Sequence, residues 1–266
     1  MPFIRAGDLA VHYELAGPAN APVVMFANSL GTNFHVWDAQ AEAMTATFRV
    51  LRYDMRGHGM TDCPAPTAAV PGFTIDQLAG DAVALLDALG LDKVHFCGLS
   101  IGGMVAQRLG GTVPDRLLSL VLCDTASRIG TPAMWQDRVA AIRAGGMDSI
   151  ADAVLTRWFT PAFYAREPAA LAGFRNMLSR TPVDGYGGCC LAIRDADLRA
   201  DCARITTPTH VVVGDQDAST PPDLVRETAA SIDGAEVSVI EGAGHIPTAE
   251  QPEALNRILL RFLAGL

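Results

Sequence analysis

Short apolar runs with little polar interruption recur along this chain at Val23–Ala27, Arg49–Tyr53, Val94–Cys97, Leu118–Cys123 and Thr209–Gly214, with another at Val237–Ile240. Strands that read this way are buried on both faces, as in a parallel sheet covered by helices. Leu9–Leu15 differs, because Leu9, Val11, Tyr13 and Leu15 alternate with Ala10, His12 and Glu14. Alternation marks a single covered face, so this strand is expected to run antiparallel near an edge. Helical patterns separate the later strands. Ile75, Leu78, Ala79, Ala82, Leu85, Leu86 and Leu89 share one face at helical spacing, Thr74 and Gln77 fit a capping box, and Gly90 stands at the far end. This alternation predicts an α/β fold with a mostly parallel, doubly wound sheet.

From Thr125 to Arg204 the rhythm stops, and amphipathic helical stretches occupy the interval. The expected organisation is a core domain from residues 1–124 and 205–266 with a helical cap inserted at 125–204. A last helix begins near Pro252 and carries Leu255, Ile258, Leu259 and Phe262 on one face. With 266 residues, half of them hydrophobic and 18% charged, the chain is long and apolar enough to bury a substantial core. A net charge of −9 argues against a nucleic-acid partner, whose phosphates require a basic face. No apolar run approaches a membrane span, and the first residues lack a basic stretch followed by an apolar one. A cytoplasmic protein without membrane partners is therefore expected. The six cysteines, at 63, 97, 123, 189, 190 and 202, form no metal-type spaced pair and read as reduced core thiols.

Gly98-Leu99-Ser100-Ile101-Gly102 lies between a strand-like run and the small residues Gly103-Met104-Val105-Ala106, which can open a helix. A serine on a tight turn between strand and helix needs small neighbours and projects its hydroxyl into a cleft. Glycine-rich turns in this position also bind phosphate, but neither Gly-x-Gly-x-x-Gly nor a following Gly-Lys-Ser/Thr is present. A serine hydroxyl becomes a nucleophile when a base takes its proton and a carboxylate orients the base. His245 follows the run ending at Ile240, and Asp217 follows the run ending at Gly214. Both stand at carboxyl ends of strands, where open α/β sheets place their sites. His12, His95 and His210 lie within strands, and His35 and His58 precede the serine. His58 reads as shaping the glycine-rich loop of Asp54, Arg56 and Gly57. For the acid, Asp124 also ends a strand, and Asp215 reads as a partner for turn amides. The order Ser, Asp, His resembles that of α/β-hydrolases. An oxyanion hole would then take one N–H from Ile101 and one from Leu30, in the loop Asn28-Ser29-Leu30-Gly31-Thr32.

Within that superfamily the chain resembles the 3-oxoadipate enol-lactonases along essentially its whole length. The resemblance rests on Asn28-Ser29-Leu30-Gly31-Thr32 with Trp37, on Arg52-Tyr53-Asp54-Met55-Arg56-Gly57-His58-Gly59, and on Gly98-Leu99-Ser100-Ile101-Gly102-Gly103. Cys189-Cys190-Leu191-Ala192-Ile193-Arg194-Asp195 and Gly214-Asp215-Gln216-Asp217 extend it. It implies an α/β-hydrolase fold, hydrolysis of 3-oxoadipate enol-lactone in bacterial breakdown of aromatic compounds, and a triad of Ser100, Asp217 and His245. It implies no metal and no organic cofactor. The partner would be a small anionic lactone. In keeping with an anionic substrate, residues 125–204 hold ten arginines against eight acidic residues, while the rest of the chain is strongly acidic. Most of these arginines are expected on solvated helix faces. Trp135 is the expected pocket wall and Arg138, one turn on, a candidate substrate contact. Met134, Trp158, Phe159, Phe163 and Tyr164 are expected to form the cap's own core. A cofactor-free haloperoxidase or perhydrolase, a carboxylesterase, a carbon–carbon bond hydrolase and a non-turnover ligand receptor share these motifs.

Overall fold

A computed structural model describes residues 2–67 and 72–266. Among them, eight strands form one sheet: β1 (Phe3–Ala6), β2 (Leu9–Ala16), β3 (Val23–Ala27), β4 (Arg49–Tyr53), β5 (Val94–Leu99), β6 (Leu117–Cys123), β7 (Thr209–Gly214) and β8 (Glu236–Ile240). Their order is β1-β2-β4-β3-β5-β6-β7-β8. β2 runs antiparallel to both β1 and β4, and the strands from β4 to β8 are parallel. The alternating segment is thus antiparallel and next to the edge, as its pattern predicts. The edge strand β1 was not anticipated. It is four residues long, and only Ile4 and Ala6 turn toward the core while Phe3 is 51% exposed, too short a pattern to mark a strand in the sequence.

The helices are α1 (Asp38–Met44), α2 (Ile75–Leu89), α3 (Ile101–Thr112), α4 (Pro132–Gly145), α5 (Ala151–Trp158), α6 (Pro161–Arg166), α7 (Pro168–Ser179), α8 (Val183–Asp195), α9 (Arg199–Cys202), α10 (Pro222–Ala230), α11 (Pro247–Glu250) and α12 (Pro252–Ala264). Helices α2 and α3 pack on each other and on β1, β5 and β6, whereas α1 and α12 pair against β4 and β8. At α2 the reciprocal Thr74–Gln77 capping box is formed, and Gly90 ends the helix in the left-handed conformation at φ 66°. Helices α4 to α9 fill the chain between β6 and β7. Among the described residues no helix is long and apolar enough to cross a membrane. All six cysteines carry free thiols, and five of them are buried.

Candidate active site

The parallel register sets loops side by side. Ala27 on β3 pairs with Gly98 on β5, so the loop after β3 runs beside the turn after β5. β5 pairs in turn with β6, and β6 with β7, bringing the ends of these four strands to one rim. Ser100 stands at the β5–α3 turn with φ 56° and ψ −114°, a conformation that a non-glycine residue adopts only under strain. The turn is closed by the Ser100 amide donating to Cys123 O (2.9 Å) and by Thr125 Oγ1 donating to Ser100 O (2.7 Å). Its flanking glycines are required by contact. A Cβ on Gly98 would lie 2.1 Å from Gly102 O, and one on Gly102 would lie 2.4 Å from Ala27 O.

His245 follows β8 and is buried, and its Nδ1 hydrogen-bonds Asp217 Oδ2 at 2.8 Å. Asp217 also accepts from Ser219 N (2.7 Å), Thr220 N (3.1 Å) and Thr220 Oγ1 (2.6 Å). Burial pushes the Asp217 carboxyl up, but the adjacent imidazole and the Thr220 donors outweigh it and hold the group below the usual carboxylate range. Because Asp217 accepts at Nδ1, the imidazole carries its proton there and leaves Nε2 as the acceptor. Asp215 takes the expected turn role, accepting from Ala243 N at 3.2 Å.

The amides of Leu30 and Ile101 have no hydrogen-bond acceptor among the described residues. Ile101 belongs to the first turn of α3, where backbone donors point out of the helix. The loop bearing Leu30 is braced from within. Asn28 Nδ2 donates to Ser29 O (3.1 Å) and to Thr32 O, and its Oδ1 accepts from Met55 N at 3.3 Å. His58 Nε2 accepts from Gly31 N at 2.9 Å, which requires Nδ1–H to donate to Arg56 O at 3.2 Å. An Nε2 that accepts makes this imidazole neutral, and complete burial pushes its pKa down in the same sense. His58 therefore shapes a loop, as its position suggests, and the loop it shapes is the one after β3. His12, His95 and His210 pair with Asp54, Ser119 and Ser238 respectively.

A cavity of about 450 Å³, mouth included, joins these groups. Ser29, Leu30, Ser100, Ser219 and His245 line its floor, and Ile129, Met134, Trp135, Arg138, Arg157, Trp158, Tyr186 and Ile193 its other walls. Ser100 and His245 thus open onto one space, although among the described residues no hydrogen bond joins the serine hydroxyl to the imidazole. Trp135 is a wall, as expected, held by its Nε1 donating to Ile129 O at 2.7 Å. Arg138 lies over the Trp135 ring at 5.2 Å and reaches Tyr186 Oη at 3.4 Å. Arg157, Tyr186 and Ser219 were missed in the sequence. Trp158 and Met134, assigned there to the cap's core, also face the cavity. Phe159 and Phe163 do form such a core, stacked at 4.5 Å, whereas Tyr164 is 40% exposed and outside it.

Arg138 and Arg157, like Arg128, Arg143 and Arg180, form no ion pair with a carboxylate among the described residues, whereas Arg166, Arg175, Arg194, Arg199 and Arg204 are paired with acidic residues. Arg157 instead donates to Ala218 O at 2.7 Å. The interval between β6 and β7 is also tied to the histidine loop. His245 N donates to Trp158 O (2.8 Å), while buried Glu250 accepts from Gly244 N (2.8 Å), Thr160 N (3.1 Å) and Thr160 Oγ1. Asp124, Asp217 and His245 place ligand-type atoms within 4.8 Å of one another, but the Asp217 oxygen and His245 Nδ1 already bond each other.

A strained serine at a strand–helix turn and a histidine–aspartate pair, with the serine and histidine opening onto one cavity, define a hydrolase of the α/β type. The chain belongs to the alpha/beta hydrolase family, which it matches over residues 24–258. It is 36% identical over 253 residues to 3-oxoadipate enol-lactonase 2 of Acinetobacter baylyi, covering 95% of this chain and 92% of that protein. The enol-lactonase structure from Burkholderia xenovorans LB400 superposes with a TM-score of 0.95 at 39% identity, covering 99% of this chain and all of that one. Broader likeness extends to a putative carbamate hydrolase RutD of Variovorax paradoxus, 28% identical over 96% of this chain and 97% of that protein.

Proposed function

We propose that this protein opens 3-oxoadipate enol-lactone to 3-oxoadipate through a Ser100 acyl-enzyme, as a step in bacterial aromatic catabolism. The observation that carries the reading is the pairing of the serine–histidine floor with two cavity arginines that lack carboxylate partners. A guanidinium whose charge is not already matched by a carboxylate suits a substrate carboxylate, which it can hold through two hydrogen bonds. The likeness to enol-lactonases points to the same substrate class.

In this scheme His245, oriented by Asp217, takes the Ser100 proton as the hydroxyl attacks the lactone carbonyl. The serine–imidazole hydrogen bond closes when substrate is bound, since such contacts often tighten only in the complex. The Leu30 and Ile101 amides hold the developing oxyanion. Collapse of the tetrahedral intermediate breaks the ring C–O bond and expels an enolate oxygen. That oxygen takes the proton from His245, and the enol tautomerises to the ketone. Water, deprotonated by His245, then cleaves the acyl ester and restores Ser100. Residues 125–204 act as a lid that supplies the walls and both arginines.

A spectrophotometric assay following loss of 3-oxoadipate enol-lactone tests this directly, with uncharged esters in parallel. Turnover of the lactone in preference to the esters is expected. A protein that turns over uncharged esters better than the lactone would instead be a carboxylesterase.

A further inference from the structure

Asp124 is a buried carboxyl beside Asp217 to which the scheme above gives no role. It ends β6 with φ 44°, in the left-handed region that non-glycine residues seldom enter. Its amide donates to Val212 O (2.8 Å) and its Oδ1 accepts from Gly214 N (2.9 Å), so the side chain is pinned toward β7. The residue is fully buried, and Oδ2 has no donor within reach. An ionised carboxylate left this way inside a protein is heavily penalised.

We propose that Asp124 is a neutral carboxylic acid whose Oδ2–H faces Asp217, so that the two carboxyls share one negative charge and Asp124 positions the carboxylate that orients His245. The inference rests on the triad reading for its catalytic consequence, though not for the proton itself. Donor supply decides which carboxyl is charged. Asp217 accepts from Ser219 N, Thr220 N, Thr220 Oγ1 and His245 Nδ1, whereas Asp124 accepts from Gly214 N alone among the described residues. With the three residues' polar atoms within 4.8 Å, two full negative charges would sit almost in contact away from water. Protonation removes that repulsion and turns the orphaned Oδ2 into a donor with an acceptor opposite it. The ionisable groups acting on Asp124 are Asp217, from the loop after β7, and the Cys123 thiol beside it, with His245 beyond Asp217. Burial first and the Asp217 charge second push the Asp124 carboxyl well above the ordinary range, against the Gly214 hydrogen bond.

Isotope-edited infrared spectroscopy of the whole protein with ¹³C-carboxyl aspartate reads this proton without substrate. At neutral pH a protonated-acid carbonyl band is expected that shifts with the label and is absent from Asp124→Asn. A wild-type spectrum with no such band overturns the proposal even if the lactone is hydrolysed, and a band is informative even if it is not. In kinetics, Asp124→Leu should lower kcat by about tenfold or more with little change in KM, because Asp217 loses a donor. Asp124→Asn, which keeps an N–H donor toward Asp217, should recover most of that loss. An Asn variant as impaired as the Leu variant would count against a neutral donor, and should the Leu variant not fold, the wild-type spectrum still decides.

Discussion

At Ser100 backbone and side chain make opposing demands. The positive φ favours glycine, yet the proposed chemistry needs an oxygen at the apex, so a serine carries the strain and the hydrogen bonds to Cys123 and Thr125 hold it there. Ser100→Ala should reduce kcat on the enol-lactone by a factor on the order of 10⁶, with an unchanged melting temperature; near-normal turnover would refute the scheme. The arginines make a separable prediction. Arg138→Met removes a charge-assisted contact of about 1.5–3 kcal/mol, so KM for the lactone should rise about tenfold or more. Steady-state kinetics should show little effect of that change on an uncharged ester. Asp124 and Asp217 pull stability in opposite directions with pH. The raised Asp124 group favours the fold while protonated and loses that benefit as pH climbs above its unfolded value; the lowered Asp217 group favours it above its unfolded value and loses it in acid. Asp124→Asn, which needs no proton, should therefore gain on wild type in urea denaturation as pH is raised from about 4 to 8.

Among the elements, legibility followed burial. The central strands were readable because both faces are covered, and Val23–Ala27 and Thr209–Gly214 have their sequence-derived limits. α2 was readable because its capping residues are local. Thr74→Ala should cost about 1 kcal/mol in urea denaturation and leave activity unchanged. β1 was illegible because four residues are too few to show a pattern, even though Ala6 is buried and Phe3 meets the His12 ring of β2. That Ser100, Asp217 and His245 lie near one another was legible because each follows a strand, so a one-dimensional pattern fixes where it emerges. Arg157 and Tyr186 were not, since no helical periodicity tells which side of α5 or α8 will look down on the floor once docked. Trp158 illustrates the same blindness: an aromatic at helical spacing reads as core, and here its ring also meets the cavity.

For the whole molecule, the decisive contact is between the stretch after β6 and the loop after β8. Glu250 accepts from Thr160 on one side and from Gly244 on the other. Glu250→Ala would leave these buried donors unpaired, each worth about 1–3 kcal/mol, so both thermal stability and kcat should drop together. A loss of stability with kcat intact would show that the loop holds its place unaided. The neighbouring bond, from the amide of His245 to the carbonyl of Trp158, carries a wider implication. In this scaffold the wall that selects what enters also grips the backbone of the group that would move protons. Grafting a foreign stretch in place of residues 125–204 would therefore alter selectivity and turnover at once, unless the graft presents a carbonyl at the same spot.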